Sequence, residues 1–245
     1  MLKWFFKKEE DSFMPIDFSI LKADIHSHLI PGIDDGAFDL ESSISLIKKL
    51  NNLGFSKVIT TPHVMCDYYK NSSKTILDGL NKIRLELNRL NINIDVEAAA
   101  EYYIDFDFEN KIGKEAFLTF GDNYILVELS FMQPPNNLFD IIFKLQLEGY
   151  KVVLAHPERY QYYEQEDYKE LINRGVLLQI NLLSLIGYYS SQIQTKTKEL
   201  IAHNQVSFVG TDCHNMLQAE LYEKCQIQKD WHVLLNSGKL LNSTL

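Results

Sequence analysis

An α/β fold built on a parallel sheet is predicted by three features of this chain. Strand-like runs alternate with helix-like ones, no Pro/Gly/Ser linker or repeat splits them, and 245 residues is a common length for one α/β barrel. The β-rich runs fall at 22–26, 57–61, 94–99, 124–130, 151–156, 176–181 and 206–211. Seven strands in one domain suggest an incomplete or distorted barrel. An open doubly wound sheet is the alternative that periodicity does not separate. The division is an N-terminal tail over 1–20 and a single domain over 21–245.

Between the strands the apolar spacing turns helical. In 39–53, Leu40, Ile44, Ile47, Leu50 and Leu53 share one face, with Asp39 as N-cap and Gly54 as the stop. Stretches 75–90 and 138–147 carry the same spacing, and Gly149 ends the second. Stretch 167–174 runs into Gly175, and 192–203 is a weaker helix of the same kind.

Composition limits the function. The 24 basic and 33 acidic residues leave a net charge of -9, which disfavours nucleic acid as a partner because a phosphate backbone needs a basic footprint. One phosphorylated group at a metal site remains compatible. Cys66, Cys213 and Cys225 form no CxxC pair and no even-numbered framework, so a reducing, cytoplasmic setting is expected. No apolar run nears the roughly 18 residues that span a bilayer. The opening Met1-Leu2-Lys3-Trp4-Phe5-Phe6-Lys7-Lys8 is too short for a secretory core; it reads as a frayed tail or a contact with the inner face of a membrane.

Chemistry-bearing residues gather at the carboxyl ends of the strands, where parallel α/β folds bind ligands. Strand one runs into Asp24-Ile25-His26-Ser27-His28 and then Asp34-Asp35-Gly36. The others bring Thr61-Pro62-His63, Ala100-Glu101, Val127-Glu128-Leu129, Ala155-His156-Pro157-Glu158-Arg159 and Gly210-Thr211-Asp212-Cys213-His214. His26 and His28 point to one side of an extended segment, and Asp212 and His214 repeat the spacing. Each has a blander reading alone: His63 as a loop or capping residue, Glu101 as a surface carboxylate. Glu128 is harder to dismiss, because a carboxylate inside an apolar strand is costly unless paired or bound to metal. His203 and His232 sit in helix-like surroundings and read as structural or exposed. Six strand ends agreeing by coincidence is the weaker account.

These motifs resemble the PHP family (polymerase and histidinol phosphatase), and more closely its bacterial branch of tyrosine-protein phosphatases linked to capsular and exopolysaccharide synthesis. The resemblance runs from Asp24 past His214. It rests on His26-Ser27-His28-Leu29-Ile30-Pro31-Gly32-Ile33-Asp34-Asp35-Gly36, Thr60-Thr61-Pro62-His63, Ala100-Glu101-Tyr102-Tyr103, Ala155-His156-Pro157-Glu158-Arg159-Tyr160 and Asp212-x-His214-Asn215. It implies a distorted (β/α)7 barrel with three divalent transition-metal ions, commonly manganese, with iron or zinc as alternatives. It also implies a ligand division: His26, His28, Glu101 and Asp212 for the first ion; Glu101, Glu128 and His156 for the second; Asp35, His63 and His214 for the third. Arg159 matches an arginine that contacts phosphate. The implied substrate is a phosphotyrosine-bearing protein, a tyrosine kinase of polysaccharide export. The chain departs from the pattern where relatives carry a second arginine: Asn215 is followed by Met-Leu-Gln-Ala-Glu, with Lys224 as a distant substitute.

The implied chemistry is self-consistent. Four carboxylates and three divalent ions leave a site near plus two, which attracts a phosphate dianion to an acidic protein. Water on such ions has its pKa lowered from 15.7 towards roughly 7, so a hydroxide can attack phosphorus in line. Tyrosine's phenol, with a pKa near 10, leaves more readily than an alkyl alcohol. No general acid is assigned. A cysteine-nucleophile plan requires an arginine six residues on, where Cys66, Cys213 and Cys225 are followed by Ser72, Ala219 and Trp231. The alternatives are a phosphoesterase for another monoester, such as histidinol phosphate, and a non-catalytic metal-stabilised binding module. Tyr102-Tyr103 and Tyr162-Tyr163 flank the site and read either as substrate-ring contacts or as packing.

Overall fold

A computed structural model describes residues 13–245. The opening segment with its basic and aromatic leader lies outside the described residues, apart from Phe13 onward. Residues 16–20, assigned to the tail by sequence, dock on the body. Phe18 is fully buried, Ile16 N donates to Gln226 O at 3.2 Å, and Trp231 Nε1 donates to Ile16 O at 3.0 Å.

Among the described residues, nine short strands form the wall: β1 (Ala23–Asp24), β2 (Lys57–Thr60), β3 (His63–Val64), β4 (Asp95–Ala98), β5 (Glu101–Tyr103), β6 (Tyr124–Glu128), β7 (Lys151–Ala155), β8 (Leu177–Asn181) and β9 (Phe208–Gly210). They pair in the orders β1-β2-β4 and β3-β5-β6-β7-β8-β9, parallel throughout. The division into two sheets is formal. Ala99 N donates to Thr60 O at 2.9 Å and Glu101 N to Pro62 O at 3.1 Å, so β2 runs on into β3 and β4 into β5. Seven strands in chain order therefore make the wall. Its ends meet where Ser27 bridges Cys213 in parallel, with Asp212 N donating to His26 O at 2.7 Å and His28 N to Cys213 O at 2.9 Å. The barrel is closed, which removes the open doubly wound alternative.

The breaks have local causes. Pro62 has no N–H for the ladder, and Thr60 Oγ1 steps in, accepting from Leu29 N at 2.9 Å and donating to Ser27 O at 2.9 Å. The two-residue period then sorts the side chains. Ile125 and Val127 face the helices with Val152, Leu154, Leu178 and Ile180, whereas Leu126 joins Ala23, Ile25, Ile59, Ala99, Val153, Ala155 and Phe208 inside the barrel. Glu128 follows Leu126 on the inward face. Its position, at odds with an apolar strand, is what aims it at the site.

The helices are α1 (Leu40–Asn52), α2 (Ser73–Arg89), α3 (Phe106–Lys111), α4 (Leu138–Leu147), α5 (Gln165–Asn173), α6 (Ser191–Ala202), α7 (Met216–Ala219) and α8 (Lys229–Asn236). Five were legible as helical periods. Asp39 caps α1 by accepting from Ser42 N at 2.8 Å, and Gly54 closes that turn at φ 110°. α3 and α7 span only six and four residues, too short to show a period. No described helix is long and apolar enough to cross a membrane.

Candidate metal centre

The carboxyl ends of the strands bring all nine sequence-predicted ligands to one place. Glu101 lies at its middle, fully buried. Its Oε1 is 3.0 Å from His156 Nε2, and its Oε2 is 2.9 Å from His63 Nδ1, 3.4 Å from His26 Nε2 and 3.5 Å from His28 Nε2. Asp212 Oδ1 lies 3.4 Å from Nε2 of both His26 and His28. Asp35, half-exposed at the mouth, has Oδ1 3.5 Å from His214 Nε2 and 3.6 Å from His63 Nε2. Glu128 lies 3.6 Å from His63 and 3.7 Å from His156.

Three compact ligand groups emerge: His26, His28 and Glu101; His63, Glu101 and Glu128; and His28, Asp35, His63 and His214. They overlap the division implied by resemblance without reproducing it, since His28 and His63 each sit between two groups. Asp212 and His156 face the first two through the Glu101 and histidine contacts.

The chemistry of the donor set fits cations. His26 Nδ1 donates to Gln179 Oε1 at 2.8 Å, and that amide is oriented because Gln179 Nε2 donates to Asn181 Oδ1 at 2.9 Å. His28 Nδ1 donates to Asp34 Oδ2 at 2.8 Å, and His214 Nδ1 to the Asp212 carbonyl at 2.9 Å. Each partner fixes the tautomer and turns the Nε2 lone pair inward. Nε2 of His26 and His28 then sit 3.3 Å apart against two carboxylate oxygens, so four acceptors converge with no donor between them. Buried Glu101 Oε2 and His63 Nδ1 also lack any hydrogen bond despite their closeness. Only positive charge satisfies such a cluster. Burial works against protonated His26, His63 and His214, yet the surrounding carboxylates push them up to about 9, 10 and 9. Burial opposes ionised Glu101 as well, but His26 and His63 hold it well below the usual carboxylate range. Glu128 goes the other way, to about 8, through burial and the Glu101 charge. Burial and Arg159 lower His156 to about 4, leaving it neutral and ready to ligate.

The backbone is bent to serve the site. His156 and Asp212 both adopt left-handed conformations, φ 35° and 53°, a cost of roughly 1–3 kcal/mol each for non-glycine residues. Gly210 lets β9 approach: a Cβ there would lie 2.6 Å from His26 Cβ and 2.9 Å from Gln179 Nε2.

Arg159, in the turn Pro157–Arg159, is a quarter exposed and faces the cleft. Its guanidinium carbon lies 4.6 Å from the Phe131 ring centre and 4.8 Å from that of Tyr189, and Nη1 donates to Asp212 Oδ2 at 3.3 Å. Asn181 Nδ2 donates to the same oxygen at 2.6 Å and Tyr189 OH at 3.4 Å, so Oδ1 is left for the centre. The cleft above has a volume of about 370 Å³. Lys224 does not line it; Asn215 and Gln218 occupy that wall, and Gln218 Oε1 accepts from His214 N at 2.7 Å.

Sequence reasoning missed the supporting set: Asp34, Gln179, Asn181, Tyr189 and Phe131. Asp34 adds a fifth carboxylate, so three dications would leave the site near plus one before Arg159 is counted. Gln179 and Asn181 did carry a signal, since both interrupt an apolar strand as Glu128 does. Tyr102 and Tyr163 are core residues, and Tyr162 donates to Ser130 O at 2.8 Å, which favours packing over ring contacts. Cys213 is buried, with its thiol pushed up to about 12, no nucleophile. His203 is exposed, and His232 packs on Phe13 at 4.8 Å.

A closed parallel barrel with imidazoles and carboxylates gathered at its carboxyl rim is the architecture of a metal-centred α/β-barrel protein. This chain belongs to the family described as capsular polysaccharide synthesis, CpsB/CapC, whose model matches residues 22–226. It is 31% identical over 196 residues to tyrosine-protein phosphatase YwqE of Bacillus subtilis, covering 79% of this chain and 77% of that one. The putative tyrosine-protein phosphatase CapC of Staphylococcus aureus is 28% identical over 197 residues, with the same coverages of 79% and 77%. A crystal structure from work on YwqE and Streptococcus pneumoniae CpsB, described there as unique metal-dependent tyrosine phosphatases, superposes with a TM-score of 0.79 at 28% identity, covering 91% of this chain and 90% of that one. Histidinol phosphate phosphatase of Lactococcus lactis shares the fold, with a TM-score of 0.55 at 14% identity over 89% of this chain and 94% of that one. The distorted (β/α)7 barrel expected from the motifs is the fold observed.

Proposed function

We propose that the protein is a metal-dependent tyrosine-protein phosphatase holding three divalent ions, manganese first, with iron or zinc as alternatives. The observation that carries this is the gathering of nine candidate ligand side chains at one centre, buried Glu101 in its middle, with one arginine facing the same cleft. Its relatives' activities agree. Divalent ions bound there supply Lewis acidity for phosphoryl oxygens and acidify water enough to yield a nucleophile at neutral pH.

The chain's own residues do the rest. The paired donors of Arg159 grip two phosphoryl oxygens, and its contacts with Asp212, Phe131 and Tyr189 fix the planar fork before substrate arrives. Asp34 and Gln179 hold the imidazoles in one tautomer. The phenolate leaves without strong acid assistance. The physiological substrate in this reading is a tyrosine kinase of the polysaccharide-export system, met in the cytoplasm at the inner face of the membrane.

Purified protein should carry close to three transition-metal ions per chain by elemental analysis, and prolonged chelation should abolish phosphate release. Phosphotyrosine peptides should be cleaved faster than phosphoserine peptides or histidinol phosphate. Activity that survives chelation, or equal rates on aryl and alkyl esters, would count against the assignment.

A further inference from the structure

Beside the metal cleft, and sharing His214 and Asn215 with it, lies a second cavity of about 260 Å³. Its other walls come from Ala37 and Phe38, from Ser42, Ser45 and Leu46 of α1, and from Met216 of α7. Among the described residues, no side chain with a fixed charge lines it, in a protein of net charge -9. Large apolar side chains crowd this bank: Phe38 is 87% exposed, Met216 37% and Leu217 75%. Metal chemistry uses none of them, and exposed apolar surface beside a working cleft marks a contact site.

We infer that this cavity receives an apolar side chain that neighbours the phosphotyrosine in the substrate protein, so that the enzyme selects phosphotyrosines flanked by Leu, Ile, Met or Phe over those flanked by acidic residues. The inference rests on the phosphatase reading and deepens it. Continuity decides the occupant. His214 and Asn215 are common to both, and successive residues lie only about 3.8 Å apart, so a neighbour of a phosphotyrosine seated over the metals is within reach of this wall. The absence of fixed charge decides the chemistry. An acidic neighbour would lose its hydration against Phe38, Leu46 and Met216, and the ionisable group of the lining, His214, already turns its two ring nitrogens to Asp35 and the Asp212 carbonyl. An apolar neighbour removes both its own surface and theirs from water.

Three substrates separate the two levels of the claim: p-nitrophenyl phosphate, which has no flanking residue, and phosphotyrosine peptides with either Leu or Glu on both sides of the phosphotyrosine. Wild-type enzyme should show kcat/KM roughly tenfold higher for the Leu peptide, the order that a small apolar pocket can discriminate. Ser45→Phe fills the cavity from an exposed helix position whose hydroxyl bonds only to the Glu41 carbonyl within α1. It should bring the two peptides to near equality through the Leu peptide alone, leaving p-nitrophenyl phosphate unchanged. Met216→Ser, which removes the opposite apolar wall, should act in the same direction. Equal wild-type rates on the two peptides overturn the inference, as does a preference that survives both substitutions. Failure to cleave p-nitrophenyl phosphate and both peptides, with metal bound, would instead remove the phosphatase reading beneath it.

Discussion

At the scale of single residues, Arg159 and His156 stand three positions apart and should fail in different ways. A guanidinium has no lone pair to give a metal. Arg159→Ala leaves Asp212 Oδ2 still bonded by Asn181 and Tyr189, so metal content and thermal unfolding should stay near wild type. Turnover should nevertheless fall by about two orders of magnitude, the usual cost of one preorganised donor to a transition state. If the contact tightens only there, kcat falls rather than KM merely rising. Arg159→Lys should rescue poorly, since an ammonium keeps the charge and loses the fork. His156→Ala removes a neutral imidazole 3.0 Å from Glu101 and should lower metal occupancy together with activity. Full activity in Arg159→Ala would reduce the residue to a structural partner of Asp212. The nine candidate ligands and Arg159, which the fold brings to one cleft, stand out in the sequence because strand-end motifs advertise them. Asp34 could not be told from Asp35 in Asp34-Asp35-Gly36, because which carboxylate turns to His28 Nδ1 is a property of the folded turn.

At the scale of the element, β8 shows how a strand that carries no candidate ligand shapes the candidate metal centre. Gln179 and Asn181 share its inward face and form a continuous relay: His26 Nδ1 to Gln179, Gln179 to Asn181, Asn181 to Asp212 Oδ2. One strand therefore sets the tautomer of His26 and the free oxygen of Asp212. Asn181→Leu and Gln179→Leu should each weaken manganese binding by about 10–100-fold in a calorimetric titration. Unchanged affinity in both would demote the relay to ordinary core polarity. Sequence periodicity located the strand but gave the polar pair no role, since hydrogen bonds across strands depend on register. The same limit hid the division of two strands at Pro62 and after Ala99, where pairing continues through shifted contacts. Capped helices were easier. Asp39 and Gly54 mark α1 by chemistry confined to a few residues, whereas α3 and α7 are shorter than two helical turns.

At the scale of the whole molecule, the barrel must close for six strand ends to meet, and closure is the feature that no local pattern in the sequence could supply. The seam joins the first strand to the last. Near the metal end it is held by backbone pairing between His26–His28 and Asp212–Cys213; farther down, fully buried Asn242 takes over. Its Nδ2 donates to Ala23 O at 3.0 Å and Val209 O at 2.8 Å, while its Oδ1 accepts from Val209 N at 3.0 Å. One side chain thus satisfies three buried backbone groups on the two seam strands. Asn242→Ala leaves those groups without partners, and each such loss costs about 1–3 kcal/mol. A total near 3 kcal/mol would lower the melting temperature by roughly 6–12 °C in a domain of this size. Asn242→Asp should do no better. It keeps the acceptor but sets a carboxylate against two carbonyl oxygens that need donors. Metal affinity and turnover measured well below the melting transition should remain near wild type in both, because the ligands keep their own seam through Ser27 and Cys213. Melting within about 1 °C of wild type would show that the seam does not depend on Asn242.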